Sequence, residues 1–179
     1  MPIASGSFSR DANYVPITRD GVTVSEAVTF TGNNTTVSTP LFTLTGSVVV
    51  YQLYGIVTTA LGSSHTATHW RLNDQTAQPV ISLVTGTSAS SFAVGSVLAR
   101  TSLVGVALSA KNSSAGGVLD PIAATVPDML MPVILVQKTG GVLTQLEYTY
   151  TTTNTPTTGA MTFYAKYVPL SPDGALVPV

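Results

Sequence analysis

The stretch from Val142 to Val168 most limits what this chain can fold into. Val142, Thr144, Leu146, Tyr148 and Tyr150 alternate with Leu143, Gln145, Glu147, Thr149 and Thr151. After the turn sequence Asn154-Thr155-Pro156-Thr157-Thr158-Gly159, Met161, Phe163, Ala165 and Tyr167 take every second place between Ala160 and Val168. A period of two sends alternate side chains to opposite sides of a pleated strand, whereas a helix would scatter them around its circumference. The spacing predicts a hairpin with paired aromatics.

The rest of the chain follows the same pattern. Val22, Val24, Val28 and Phe30 alternate with Thr23, Ser25, Thr29 and Thr31, and Glu26 interrupts the apolar side, which points to an edge or a subunit contact. Gly32-Asn33-Asn34 reads as a turn. Leu41–Thr45 and Ser47–Thr59 follow. In the second run Val48, Val50, Tyr54 and Ile56 take one side, and Val49, Tyr51, Leu53 and Val57 the other. A strand apolar on both sides is either central or covered by a neighbouring subunit. His65–Asn73 puts Thr66, Thr68, Trp70 and Leu72 on one side. Pro79–Thr85, Ser91–Ala99, Thr101–Ser109 and Pro132–Lys138 read as further strands, Lys111–Gly117 as a loop, and Asp120–Met131 as irregular. Eight or nine short strands with turn signals between them predict an all-β fold, an antiparallel β-sandwich of jelly-roll-like form. The expected organisation is an N-terminal arm over 1–21, a sandwich domain over 22–168 and an extended C-terminal tail over 169–179, whose prolines keep PLSPDGALVPV stretched.

Charge sets the function classes. Of 179 residues only 7 are Lys or Arg and 8 are Asp or Glu, a net charge of -1, while about one residue in six is Thr. Seven scattered cations make no nucleic-acid footprint, so no nucleic acid is expected as a partner. There is no cysteine, which removes thiol catalysis and cysteine metal sites. No charged residue lies between Glu26 and Arg71, but its most apolar window, 41–61, contains Gln52, glycines and threonines and lacks basic flanks, so strands are expected there and no membrane span. Residues 1–10 show neither a basic start nor an apolar core of a secretion signal, so the Asn-x-Ser/Thr patterns at Asn33, Asn34 and Asn112 carry no expectation of glycosylation. A near-neutral Thr-rich surface favours association, which predicts a component of an assembly.

Chemistry is sparse. His65 and His69 would share a metal on a helix, but on a strand they lie about 13 Å apart on one face. One ion would then need a symmetry axis, with a histidine from each subunit. Asp74 and the neighbouring Ser63 and Ser64 invite a Ser–His–Asp reading, yet no Gly-x-Ser-x-Gly elbow accompanies them. The carboxylates are spread singly, and the Gly116-Gly117 and Gly140-Gly141 pairs are turn glycines without a helix to cradle phosphate. Trp70 with Tyr51, Tyr54, Tyr148, Tyr150, Tyr164 and Tyr167 suits core packing better than a sugar platform. No catalytic, cofactor-binding or metal-binding residue is assigned, and no enzyme is expected.

The opening FSRDANYVPITRDG, with Arg10-Asp11-Ala12-Asn13-Tyr14-Val15-Pro16, resembles N-terminal segments of tailed-bacteriophage particle proteins that carry an arg-asp-ala-asn-x-val-pro pattern. TFTGNN…PLFTLTGSVVV and TPTTGAMTFYAKYVPLSPDG resemble the β-sandwich part of the same small virion structural proteins. The resemblance implies a virion component, assembled in the cytoplasm of a bacterial host and placed on the outer capsid surface. Two roles compete. One is a capsid decoration or cement protein that reinforces the major capsid protein. The other is a tail-fibre, spike or head-fibre module that contacts the host surface. Decoration is the favoured reading, because the chain lacks a long repetitive shaft. Homo-oligomers, trimers or dimers, are expected through faces such as Ser47–Thr59. Phe8, Arg10, Asp11, Tyr14 and Arg19 are the candidate partner-binding residues of the arm.

Overall fold

The computed structural model describes residues 9–10, 16–17, 21–76, 80–82, 88–99, 109–111, 133–140, 142–153 and 157–179. Its strands are β1 (Ser9–Arg10), β2 (Pro16–Ile17), β3 (Val22–Thr29), β4 (Thr36–Thr45), β5 (Ser47–Thr59), β6 (Thr66–Asn73) and β7 (Val80–Ser82), followed by β8 (Val97–Ala99), β9 (Ser109–Lys111), β10 (Val133–Val136), β11 (Gln145–Thr151), β12 (Ala160–Pro169) and β13 (Ala175–Pro178). A first sheet runs β3, β12, β5, β8, β9, with β10 also pairing β5. A second runs β13, β4, β11, β6, β7, and β1 and β2 pair with each other. Every pairing among the described residues is antiparallel. The two larger sheets pack face to face as a β-sandwich, because each has one apolar side to remove from water.

The most regular segment folds differently from the expected hairpin. β11 joins β4 and β6 in the second sheet, while β12 joins β3 and β5 in the first. The chain between them therefore changes sheets. Leu146, Tyr148 and Tyr150 look inward from one side, and Met161, Phe163, Ala165 and Tyr167 from the other. Tyr148 and Phe163 meet across the interior with centroids 4.7 Å apart. Two strands with an apolar side each bury more surface opposed across a core than side by side in one sheet, which is why the alternation survives and the hairpin does not.

β5 is central, flanked by β12 on one edge and by β8 and β10 on the other. Its sides are not those of a simple alternation. Lys166 pairs with Gln52 but Tyr167 pairs with Val50, so Tyr51 is an extra residue, and a second shift between Ala160 and Met161 leaves Thr58 extra. Each bulge reverses the phase. The inward residues are thus Val48, Val50, Leu53, Gly55 and Val57, while Tyr54 and Ile56 turn outward. Gly55 is glycine because a Cβ there would sit 2.7 Å from Met161 Cε and 2.9 Å from Phe163 Cδ1. A third shift, opposite Leu146 and Glu147, makes Leu41 extra in β4 and lets both Leu41 and Phe42 enter the core.

Other boundaries moved for local reasons. β3 lies at the edge of the first sheet, where Glu26 can reach water from the inward side. Of Ser91–Ala99, only the last three residues form a strand, since Ser91 and Gly95 take positive φ (56° and 83°). The closing tail is not stretched throughout: residues 170–173 bend and turn, with Gly174 N–H donating to Ser171 O at 2.9 Å, and only Ala175–Pro178 is extended, as β13, which pairs with β4 through Ala175–Thr45 to Pro178–Phe42 and buries Leu176. Of the expected Thr101–Ser109 strand and Lys111–Gly117 loop only Ser109 and Lys111 are described, both in β9, while residues 101–108 and 112–132, the latter including the expected irregular stretch, lie outside the described residues.

Candidate functional site

The registers build the outward face of the first sheet row by row. Val168, Val49 and Ile134 form one row across β12, β5 and β10. Thr23, Lys166 and Gln52 form the next. Ser25, Tyr164, Tyr54 and Ala99 follow, then Ala27, Thr162, Ile56 and Val97. Tyr54 and Tyr164 stack at 5.0 Å and 14°. The bulge lifts Tyr51 out to 43% exposure, and on β10 Ile134 and Val136 stand 61% and 58% exposed. Just past β12, exposed Leu170 is held beside them by its N–H, which donates to Ser47 O at 2.8 Å, Ser47 being the pair of Val136. Isolated exposed hydrophobes are ordinary, but a contiguous set on one sheet face marks a contact surface. Lys166 is the single charged residue among the described side chains of this face, and Lys111 on β9 continues its last row at the register position beside Val97.

The outward face of the second sheet is built otherwise. Glu147 sits mid-strand on β11 between Pro40 and Arg71. Arg71 Nε donates to Glu147 Oε2 at 2.7 Å, and Asn73 Nδ2 donates to Oε1 at 2.8 Å. Ser38 and Thr149 share a hydrogen bond of 2.9 Å, Thr36 and Thr151 one of 3.0 Å. Glu147 and Thr149 are only 4% and 2% exposed, so these outward positions of β11 are withdrawn from water as well as paired. At the end of β6, Asp74 Oδ1 accepts from Thr76 N at 2.9 Å, and Lys138 Nζ lies 3.9 Å from Asp74 Oδ2.

The two histidines part company. Ala67 takes a φ of 49°, and the register against β11 slips between Thr149 and Thr151. That irregularity breaks the shared face expected of them. His69 lies on the outward side opposite Thr149, its Nδ1–H directed at Ala67 O at 3.2 Å. His65 is fully buried, with Tyr148 Oη 3.0 Å from Nε2 and Thr157 Oγ1 3.5 Å from Nδ1. Its ring stacks on Tyr150 at 4.6 Å and 11°, and Phe30 tilts against it at 4.6 Å. Burial alone pushes its pKa down to about 4, and burial likewise raises the Tyr148 phenol far above its ordinary range. Its carbonyl accepts from Ala89 N and Ser90 Oγ, so one residue ties the 62–65 turn to the 88–92 segment. Both imidazole nitrogens are engaged inside the core, and Asp74 stands at the far end of β6 with other partners. The Ser63–Ser64–His65–Asp74 grouping is not assembled.

Of the tyrosines weighed as a platform with Trp70, Tyr148, Tyr150 and Tyr167 are core, as is Trp70, whereas Tyr51, Tyr54 and Tyr164 belong to the outward face. Arg10 lies in β1, where it pairs with Pro16. Phe8, Asp11, Tyr14 and Arg19 lie outside the described residues. Sequence reasoning missed Ile134 and Val136 as surface residues. Their one signal was the uncharged VILV run, which reads equally well as a buried strand. Among the described residues no helix is long and apolar enough to cross a membrane.

The fold and its faces thus define an all-β sandwich with one polar, internally paired exterior and one apolar exterior. No family model, curated protein or solved structure matches the chain.

Proposed function

We propose that this chain is a non-enzymatic structural protein of a bacteriophage virion, a capsid decoration or cement protein that works as a homo-oligomer on the outer shell. The observation that carries this reading is the apolar outward face of the first sheet, beside the resemblance of residues 10–16 to phage particle proteins. A surface of that kind gains free energy when covered, at roughly 25 cal/mol per Å2 of apolar area. The near-neutral charge leaves copies free to crowd together. In this reading the mechanism is mechanical. Subunits join through sandwich faces, the arm carrying Phe8, Arg10, Asp11, Tyr14 and Arg19 reaches the major capsid protein, and contact area repeated over many copies resists internal pressure by avidity.

The test is binding of the purified chain to shells of the major capsid protein, with copy number read by quantitative mass spectrometry of particles. Many copies spread over the shell support decoration. A few copies at one vertex or on the tail would move the protein to the fibre or spike class. Removing residues 1–20 should abolish shell binding while leaving the far-ultraviolet β signature intact; full binding by that truncation contradicts the docking role of the arm.

A further inference from the structure

We propose that the outward face of the first sheet is the self-association surface of this protein, and that its occupant is the same face of a second copy, packed sheet on sheet about a two-fold axis. This deepens, and rests on, the reading of the chain as an assembly subunit: it assigns one face to the sister copy and leaves the shell to other parts of the molecule.

Three observations favour a second copy. The first is size. Four strand positions, β3, β12, β5 and the shared β10/β8 position, at about 4.8 Å spacing, and ten residues at about 3.4 Å, make a face of roughly 19 Å by 34 Å. With side-chain relief this approaches the roughly 800 Å2 that each partner contributes to a standard interface. The second is charge. The face offers few charges, Lys166 and, at the register position beside Val97, Lys111, so a partner selected by charge would find little to read, and a second copy is repelled only where those like charges fall opposite each other. The Lys166 ammonium can stay wet on its four-carbon stem. The third is shape. Rows such as Val168–Val49–Ile134 and Tyr164–Tyr54 are what a pleated sheet offers to another sheet. The molecule already packs two such faces in its own core, where sheets typically stack about 10 Å apart. A two-fold operator needs only one self-complementary patch.

The central strand shows why the face and not the edge is used. Ser47–Thr59 has β12 on one side and β10 and β8 on the other, so its backbone is paired and only its outward side chains can reach a neighbour. At the sheet edge, β3 carries Glu26 on its inward side, a charge that discourages strand-to-strand addition.

Sedimentation equilibrium of the full chain from about 1 µM to about 1 mM tests this. The wild-type chain should show a mass rising toward the dimer. Ile134→Lys and, independently, Tyr51→Lys should weaken association at least about tenfold, with thermal melts confirming that both fold. Thr36→Lys, on the second sheet, should associate as wild type. A wild-type chain that stays monomeric throughout, or folded Ile134→Lys and Tyr51→Lys variants that associate undiminished, overturns the proposal. Shell binding separates the two readings. A monomer that binds shells sinks the self-association face and leaves decoration standing; a dimer that binds no shell does the reverse. Loss of shell binding by Ile134→Lys with no change in mass assigns the face to the shell protein and also overturns the proposal.

Discussion

The two exteriors of this sandwich are made from the same fold and finished in opposite ways. On the second sheet, Glu147 is closed off by Arg71 and Asn73, Thr149 by Ser38, and Thr151 by Thr36. On the first, Tyr54 stacks on Tyr164, and Ile134, Val136 and Tyr51 stand in water. A polar face whose groups already satisfy one another has little to gain from a partner, since new hydrogen bonds would replace old ones. An apolar face gains with every Å2 covered. The difference locates the contact surface without any catalytic geometry, and it separates what holds the fold together from what the fold offers outward.

Substitutions on the two faces should therefore part sharply, and the polar face should be the more costly to injure. Glu147→Ala removes the carboxylate that accepts from both Arg71 and Asn73 in a mostly buried setting, and chemical denaturation should show a loss of about 4 kcal/mol, the scale for breaking a buried ion pair. A loss below about 1 kcal/mol, the ceiling usual for exposed pairs, would mean the pair is a surface one and the contrast between faces is overstated.

The core beneath both faces supplies the next effect. His65 has its folded pKa lowered to about 4 from 6.5, so the unfolded chain takes up a proton before the folded one does. Its stabilising contribution is complete above pH 6.5, falls as pH drops through the window down to about 4, and amounts to about 3 kcal/mol from a shift of this size. Denaturation midpoints of wild type and His65→Phe should converge on acidification across that window, because the variant lacks this titration. Parallel pH curves for the two proteins would remove His65 from the account. Ile134→Lys should keep the wild-type pH curve, since its face has no part in that core.

Smaller still is Ser38→Ala, which removes one partner of Thr149 and should cost about 1 kcal/mol in a thermal or denaturant melt. Smallest is Ile134→Lys, expected to change monomer stability by less than about 0.5 kcal/mol while changing association. A large stability loss there would make Ile134 a packing residue and erase the distinction between the two exteriors.

Most of the strand positions were legible, because period-two patterns at Val22–Thr29, Gln145–Thr151 and Ala160–Pro169 follow from half-burial. Strand partners were not. Alternation says which side of a strand is buried and nothing about which strand lies beside it, so β11 and β12 were read as neighbours when they oppose each other across the core. Bulges were hidden too. An extra Tyr51 or Leu41 is an ordinary residue in the sequence, and only the partner's register reveals it. The apolar exterior followed from those bulges: without the phase change at Tyr51, Tyr54 and Ile56 fall on the side of Val48 and Val50. His65 was misplaced for the same reason, since nothing in HTATH announces the positive φ of Ala67.

The absence of native cysteine allows a direct test of the apolar face. A solvent-sensitive dye on Ile134→Cys, and in a separate sample on Thr36→Cys, can be followed by emission wavelength as the unlabelled wild-type chain is titrated in. A saturable blue shift is expected at position 134 and none at position 36. Equal responses at the two positions, or no shift at 134 up to the highest concentration reached, would contradict self-association through that face.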